Sequence, residues 1–197
     1  LLLWTVSGIY FAFNKIELVR GEQYRLTNFS DINLGEIEFD IPKTSNLEIK
    51  KRLDKTILIL SSDSGSSYLK SDGTPLDKIS GEMAMLLVQQ NTTLTPIEAE
   101  EITSSKKGSE YRGRTLPLMK VISKNEKDKL INVYLNVYSG EVTAIRSMQW
   151  KIWDLMWGFH IMDWQERDNI DNFFLKIFSI LALVSSITGI LLFFKID

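Results

Sequence analysis

Few residues in this 197-residue chain could carry chemistry, and one segment gathers most of them. Trp150–Trp164 (WKIWDLMWGFHIMDW) holds four of the five tryptophans and the single histidine, His160. On a helix, at about 100° per residue, Trp150, Trp153, Trp157, His160 and Trp164 fall on one stripe roughly 80° wide. Cysteine is absent, which excludes a thiol nucleophile, a disulfide framework and cysteine-ligated zinc or iron–sulfur sites. One histidine leaves a single place for a Ser-His-Asp triad and none for a His-rich metal site. Glu98, Glu100 and Glu101 are the closest approach to paired carboxylates. With no opposing pocket residue they read as a charged helix start rather than a general acid and base. No GxGxxG, Walker, HExxH or GxSxG element occurs.

The elements that must position His160 begin with the apolar ends of the chain. Phe173–Phe194 carries Lys176 as its only charge, and about 22 residues span roughly 33 Å as a helix, enough for a bilayer core. This predicts a transmembrane helix over 172–195. Leu1–Phe13 (LLLWTVSGIYFAF) is uncharged but only about 13 residues long, and is expected to be part of a first transmembrane helix. The aromatic segment over 148–165 is expected to lie at the membrane interface, where indole rings are at home. Ser7-Gly8, Ser185-Ser186 and Thr188-Gly189 are expected to let the two apolar helices pack closely.

Between them the mean hydropathy of −0.04 for the whole chain conceals a polar middle. With 23 basic and 25 acidic residues, the net charge of −2 argues against nucleic acid as a partner. After a membrane-proximal connection over 14–46, the periodicities over 47–147 predict a small α+β domain. Lys55–Leu60 and Ser66–Lys70 read as strands around a turn, and the run after Ser80 as a helix. Thr95-Pro96-Ile97-Glu98 reads as the start of a second helix, with a threonine cap and proline at its first position. Leu116–Ser123, Lys129–Val137 and Val142–Ser147 read as antiparallel strands with one buried and one wet face. Arg112, Arg114 and Tyr111 are placed near a sheet edge, and Arg20 as an interfacial anchor able to pair with Asp154 or Asp163.

Three stretches together resemble the PepSY-associated transmembrane proteins of bacteria, in their short two-helix form: the opening LLLWTVSGIYFAFNKIELVRGE, the strand–turn–strand NVYLNVYSGEVTAIRS and the run WDLMWGFHIMDWQERDNIDNFFL. The more specific parts are His160-Ile161-Met162-Asp163 and the spacing of Trp4, Ser7 and Gly8. The resemblance implies an α+β periplasmic domain between two transmembrane helices of the bacterial inner membrane. It further implies a non-catalytic binding or regulatory module with a membrane or periplasmic protein partner, linked to iron uptake or a membrane reductase. It also raises two other roles. One is an electron-transfer subunit with His160 as an axial ligand of haem b, a pocket walled by Trp153, Trp157 and Trp164, and Met156 or Met162 as a remote second ligand. The other is a protease-modulating domain. Against haem ligation stands a packed histidine hydrogen-bonded at the interface, to Asp163 or to a strand of the domain, which the residues favour because a histidine on an aromatic face is more often structural than ligating.

Overall fold

The computed structural model describes residues 2–27, 31–37, 46–63 and 65–195. The chain opens with the apolar helix α1 (Leu2–Phe13), the single helical turn α2 (Ile16–Val19) and a 3₁₀ turn over Glu22–Tyr24. A three-stranded antiparallel meander follows: β1 (Asn46–Arg52), β2 (Lys55–Ser62) and β3 (Gly65–Lys70). After α3 (Gly81–Asn91) comes a four-stranded antiparallel meander of β4 (Thr95–Ile102), β5 (Leu118–Lys124), β6 (Leu130–Asn136) and β7 (Val142–Arg146). The chain then enters α4 (Met148–His160) and α5 (Phe173–Lys195). The architecture is α+β with two antiparallel sheets, where the sequence suggested one.

Burial follows the alternation of the strands. Ile131, Val133, Leu135 and Val137 of the β6 stretch meet Ala84, Leu87 and Val88 of α3 in the main core, with Val121 and Ile145 from the flanking strands. The Ser80 hydroxyl accepts from the Met83 amide and caps α3, as its position before the apolar run predicts. Ile57–Leu60 of β2 are all buried, as befits the central strand of its sheet. The two sheets are joined by polar ties. The Arg52 guanidinium donates to the carbonyls of Asp77 and Tyr138, and the Ile79 amide donates to the Val137 carbonyl.

Two expectations are corrected here. The second helix is strand β4, because Pro96 falls at a bulge near the strand start, where a missing N–H costs little. Glu100 and Glu101 pair with Lys120 and Lys78 instead of facing a helix dipole. Nor is the second face of the large sheet wet. Tyr134 is buried there with Tyr111, Leu118 and Ala144, since the segment before β5 folds over it. Tyr111 therefore packs on a face, not at an edge.

α5 is the one described helix long and apolar enough to cross a bilayer, and none of its residues is buried. Gly189 meets nothing within 4 Å, so the small residues of α5 are not a packing surface against α1. α1, of 12 residues, is shorter than a span and packs instead along α4.

Gly21 fixes the entry of the chain into the domain. It has φ +80°, and a Cβ there would sit 2.7 Å from Ile145 Cγ2 of β7. Gly113 shares the left-handed backbone, at φ +71°, but nothing lies within 4 Å of its Cβ position. Gly21→Ala is expected to lower stability by ~3 kcal/mol, combining overpacking with backbone strain, and Gly113→Ala by only ~1 kcal/mol. Thermal unfolding of the two variants side by side checks this; equal losses would mean that contact with β7 is immaterial.

Candidate functional site

Helix α4 presents two working faces. Ser147 caps its start by accepting from the Trp150 amide, and residues recurring every three or four positions then define the stripes. Trp153, Trp157 and His160 face α1, whereas Trp150, Asp154 and Gly158 face the domain and the loop that follows the helix.

The α1 face is an aromatic seam. Trp153 and Trp157 stack with centroids 5.6 Å apart, and Phe11 lies 5.1 Å from the first and 6.1 Å from the second. The His160 ring stacks on Trp4 at 5.3 Å and meets the Phe11 edge at 5.4 Å. Trp4 pairs with the end of α4 and Phe11 with its middle, so the two helices run antiparallel. Ser7, fully buried, sits 3.0 Å from His160 Nδ1 and donates its hydroxyl proton to the Trp4 carbonyl. With that proton committed, Nδ1–H donates to Ser7 Oγ, which fixes the imidazole tautomer.

His160 is thus a packed, hydrogen-bonded histidine whose partner is Ser7, not Asp163. The residues around it do not fit a haem. Aromatic rings fill the space beside the imidazole, and His160 lines none of the described clefts. Of the expected wall, Trp157 adjoins the histidine at 6.5 Å and Trp153 stacks behind it on Trp157, but Trp164 takes no part. α4 ends at His160, Met162 turns at φ +57°, and Trp164 packs on Phe174 of α5. The cause is Asp163, whose carboxylate accepts from the amides of Gln165, Glu166, Asp168 and Asn169 and winds the chain into a tight loop. Burial raises the Asp163 pKa, and these four amides outweigh that and hold it below the usual carboxylate range.

The other face of α4 forms one wall of a cleft of about 470 Å³. Five of the seven arginines in the chain line it: Arg20, Arg25, Arg112, Arg114 and Arg146. Among the described residues, no lysine does. The tryptophans of α4 line it as well: Trp150 takes the Arg146 guanidinium over its ring at 4.5 Å and that of Arg112 at 5.6 Å, while Trp153 and Trp157 complete the wall.

Carboxylates are present, and each is engaged. Asp154, 1 % exposed, bonds to Arg112 and, at 2.5 Å, to Arg167. Asp168 pairs with Arg112 at 2.9 Å and Glu22 with Arg25 at 3.2 Å. Glu110 takes Lys151 at 2.9 Å, the Asn132 amide and the Tyr134 hydroxyl. Burial pushes the Glu110 carboxyl up, and those three donors outweigh it and hold its pKa low.

Three arginines remain. Arg20 and Arg114 are exposed and have no ion pair among the described residues. Arg146 is 8 % exposed; its Nε and Nη1 donate to the carbonyls of Glu110 and Ile145, and no described carboxylate lies within ion-pair distance. Burial and the charge of Arg114 push its pKa down to about 10, against the pull of Glu110. The cleft therefore holds a buried cation short of negative charge, beside two exposed ones. Sequence reasoning placed Arg20 as an anchor and missed Arg146 and Arg167. The available signal was the use of arginine rather than lysine around the aromatic segment.

Asp154 holds α4 to both the domain and the following loop. Asp154→Asn leaves Arg112 and Arg167 without their shared anion and is expected to cost ~3–5 kcal/mol. Urea unfolding of the variant checks this. A loss under ~1 kcal/mol, the range of an exposed pair, would show that the carboxylate is not buried as described.

No family model, no curated protein and no solved structure matches this chain.

Proposed function

We propose that this chain is a membrane-anchored, non-catalytic binding module whose ligand is an anion held in the arginine cleft. The observation that carries the reading is Arg146: a buried guanidinium without a carboxylate partner among the described residues, in a cleft of ligand size walled by indoles. No nucleophile, base and oxyanion group converge there, so binding rather than turnover is what this arrangement can do. The apolar α5 and the aromatic seam of α1 with α4 support attachment to a bilayer. The PepSY-like resemblance supports the bacterial inner membrane, a second span at the start of the chain, a periplasmic domain and a membrane or periplasmic protein partner. The links to iron uptake, a membrane reductase or a protease rest on that resemblance alone.

Collisional quenching tests the anion site, because three of the five tryptophans line it. Iodide is expected to quench tryptophan emission more strongly than caesium. Arg20→Gln combined with Arg114→Gln, at two exposed positions, is expected to narrow the difference. Equal quenching by the two ions in the unaltered chain would remove the anion-binding reading.

Anchoring is tested separately. The chain is expected to resist alkaline extraction from membranes. Leu183→Lys with Ile187→Lys, each costing ~3 kcal/mol near the bilayer centre, should move it to the soluble fraction. Retention of that variant would mean that α5 is not the anchor.

A further inference from the structure

The composition of the cleft narrows its ligand. We propose that it is a phosphate-ester site, in which Arg146 contacts the phosphate at the cleft floor and Arg20 and Arg114 close on it from the rim. The inference rests on the anion-binding reading and adds the identity of the anion.

Three features point to phosphate. First, the uncommitted cations are all guanidiniums, contributed by separate elements: Arg20 beside α2, Arg114 from the segment before β5 and Arg146 from β7. A tetrahedral phosphate offers three oxygens that can take forked donors from several directions at once, whereas one carboxylate is satisfied by one or two arginines. Asp154 shows that second case within the same site, its two oxygens divided between Arg112 and Arg167. Second, five arginines face four carboxylates, and each carboxylate already has a cationic partner. Arg146 in particular is a desolvated cation whose remaining nitrogen, Nη2, has no hydrogen-bond partner among the described residues. An incoming dianion or monoanion corrects that imbalance.

Third, if α5 anchors the chain as proposed, the cleft opens near a bilayer surface, where phosphate esters are abundant. Ile16 and Arg20, just beyond α1, line it together with Trp153 and Trp157, the same indoles that pack against Phe11 of α1. The last turn of α4 is tied in turn to the start of α5, where the Asn172 amide donates to the Ile161 carbonyl and caps the helix by accepting from Leu175. The opening is thus bordered by elements that continue into apolar helix, which on the anchored reading puts it beside the lipid headgroups. Its volume of about 470 Å³ admits a glycerophosphate. A phospholipid headgroup and a soluble phosphate ester share this chemistry.

The test uses the full chain in neutral detergent, titrated with phosphatidic acid, diacylglycerol, glycerol phosphate and citrate while tryptophan emission and thermal unfolding are followed. Phosphatidic acid is expected to bind saturably and diacylglycerol, which lacks the phosphate, not to bind. The double variant Arg20→Gln/Arg114→Gln should weaken binding about tenfold or more while unfolding at an unchanged temperature without ligand. Arg146→Gln should abolish binding; if it also unfolds the domain, the double variant carries the result. Equal affinity for glycerol phosphate would identify a soluble ester as the source, and a marked preference for phosphatidic acid the lipid. Citrate binding as tightly as glycerol phosphate would overturn the phosphate inference while leaving an anion site. Absence of binding by every anion, together with equal iodide and caesium quenching, would overturn both.

Discussion

A carboxylate without water needs cations, and Asp154 recruits two of them from opposite directions. Arg112 reaches it from the segment that folds over the large sheet, and Arg167 from the loop after α4. Two segments, one 42 residues before it and one 13 residues after, are thereby pinned to one turn of helix. Removing water from a charge costs several kcal/mol, so this arrangement persists only while all three elements stay in place. Trp157 strengthens the tie by donating from its indole to the Arg167 carbonyl, which is held at a left-handed φ of +59°. Gly158 is the matching concession on the helix, since a Cβ there would press within 3.0 Å of Arg167 Cγ and the Asp163 carbonyl.

Once α4 is fixed by Asp154, its two remaining duties follow from helical geometry. Positions 153, 157 and 160 turn toward α1 and build the aromatic seam. Trp150 turns toward β7 and lies under Arg146. Trp153 and Trp157 belong to both surfaces, for they pack on Phe11 and line the cleft. The arginine cleft and the apolar helices are therefore coupled through shared side chains, and a ligand in the cleft touches the same indoles that hold α1.

How much of this the sequence discloses depends on the range of the forces involved. α3, the strand pair β2–β3 and the strands of the large sheet are legible because capping, turn chemistry and alternation act within a few residues. β4 was misread because Thr-Pro-x-Glu satisfies a helix start locally, while pairing with β5, more than a dozen residues away, decided the outcome. Trp164 was misplaced for a related reason: nothing in the helical period announces that Asp163 will gather four amides and stop the helix. The buried faces of Tyr111 and Tyr134 were equally hidden, being created by a segment with no period of its own. As for the site, its aromatic half was visible as a stripe, whereas its cationic half was spread from Arg20 to Arg146 and exists only after folding.

That division also explains why the histidine, the most conspicuous residue of the sequence, is not the centre of the site. Rarity draws attention to His160, but its surroundings satisfy it: Ser7 takes its Nδ1 proton and Trp4 and Phe11 cover its ring. Arginine is a common residue, and the distinguishing fact is its company. Asp154 is shut in and gives an anion to both Arg112 and Arg167, and Asp168 gives Arg112 a second. Arg146 is shut in almost as fully, yet the carbonyls that receive it carry only partial charge. Carbonyl dipoles can orient a guanidinium without cancelling its field, so the surplus charge is directed into the open volume of the cleft. The unmet electrostatic demand of the fold is thus at Arg146 rather than at His160, and a partner that meets it must bring negative charge to the domain face of α4.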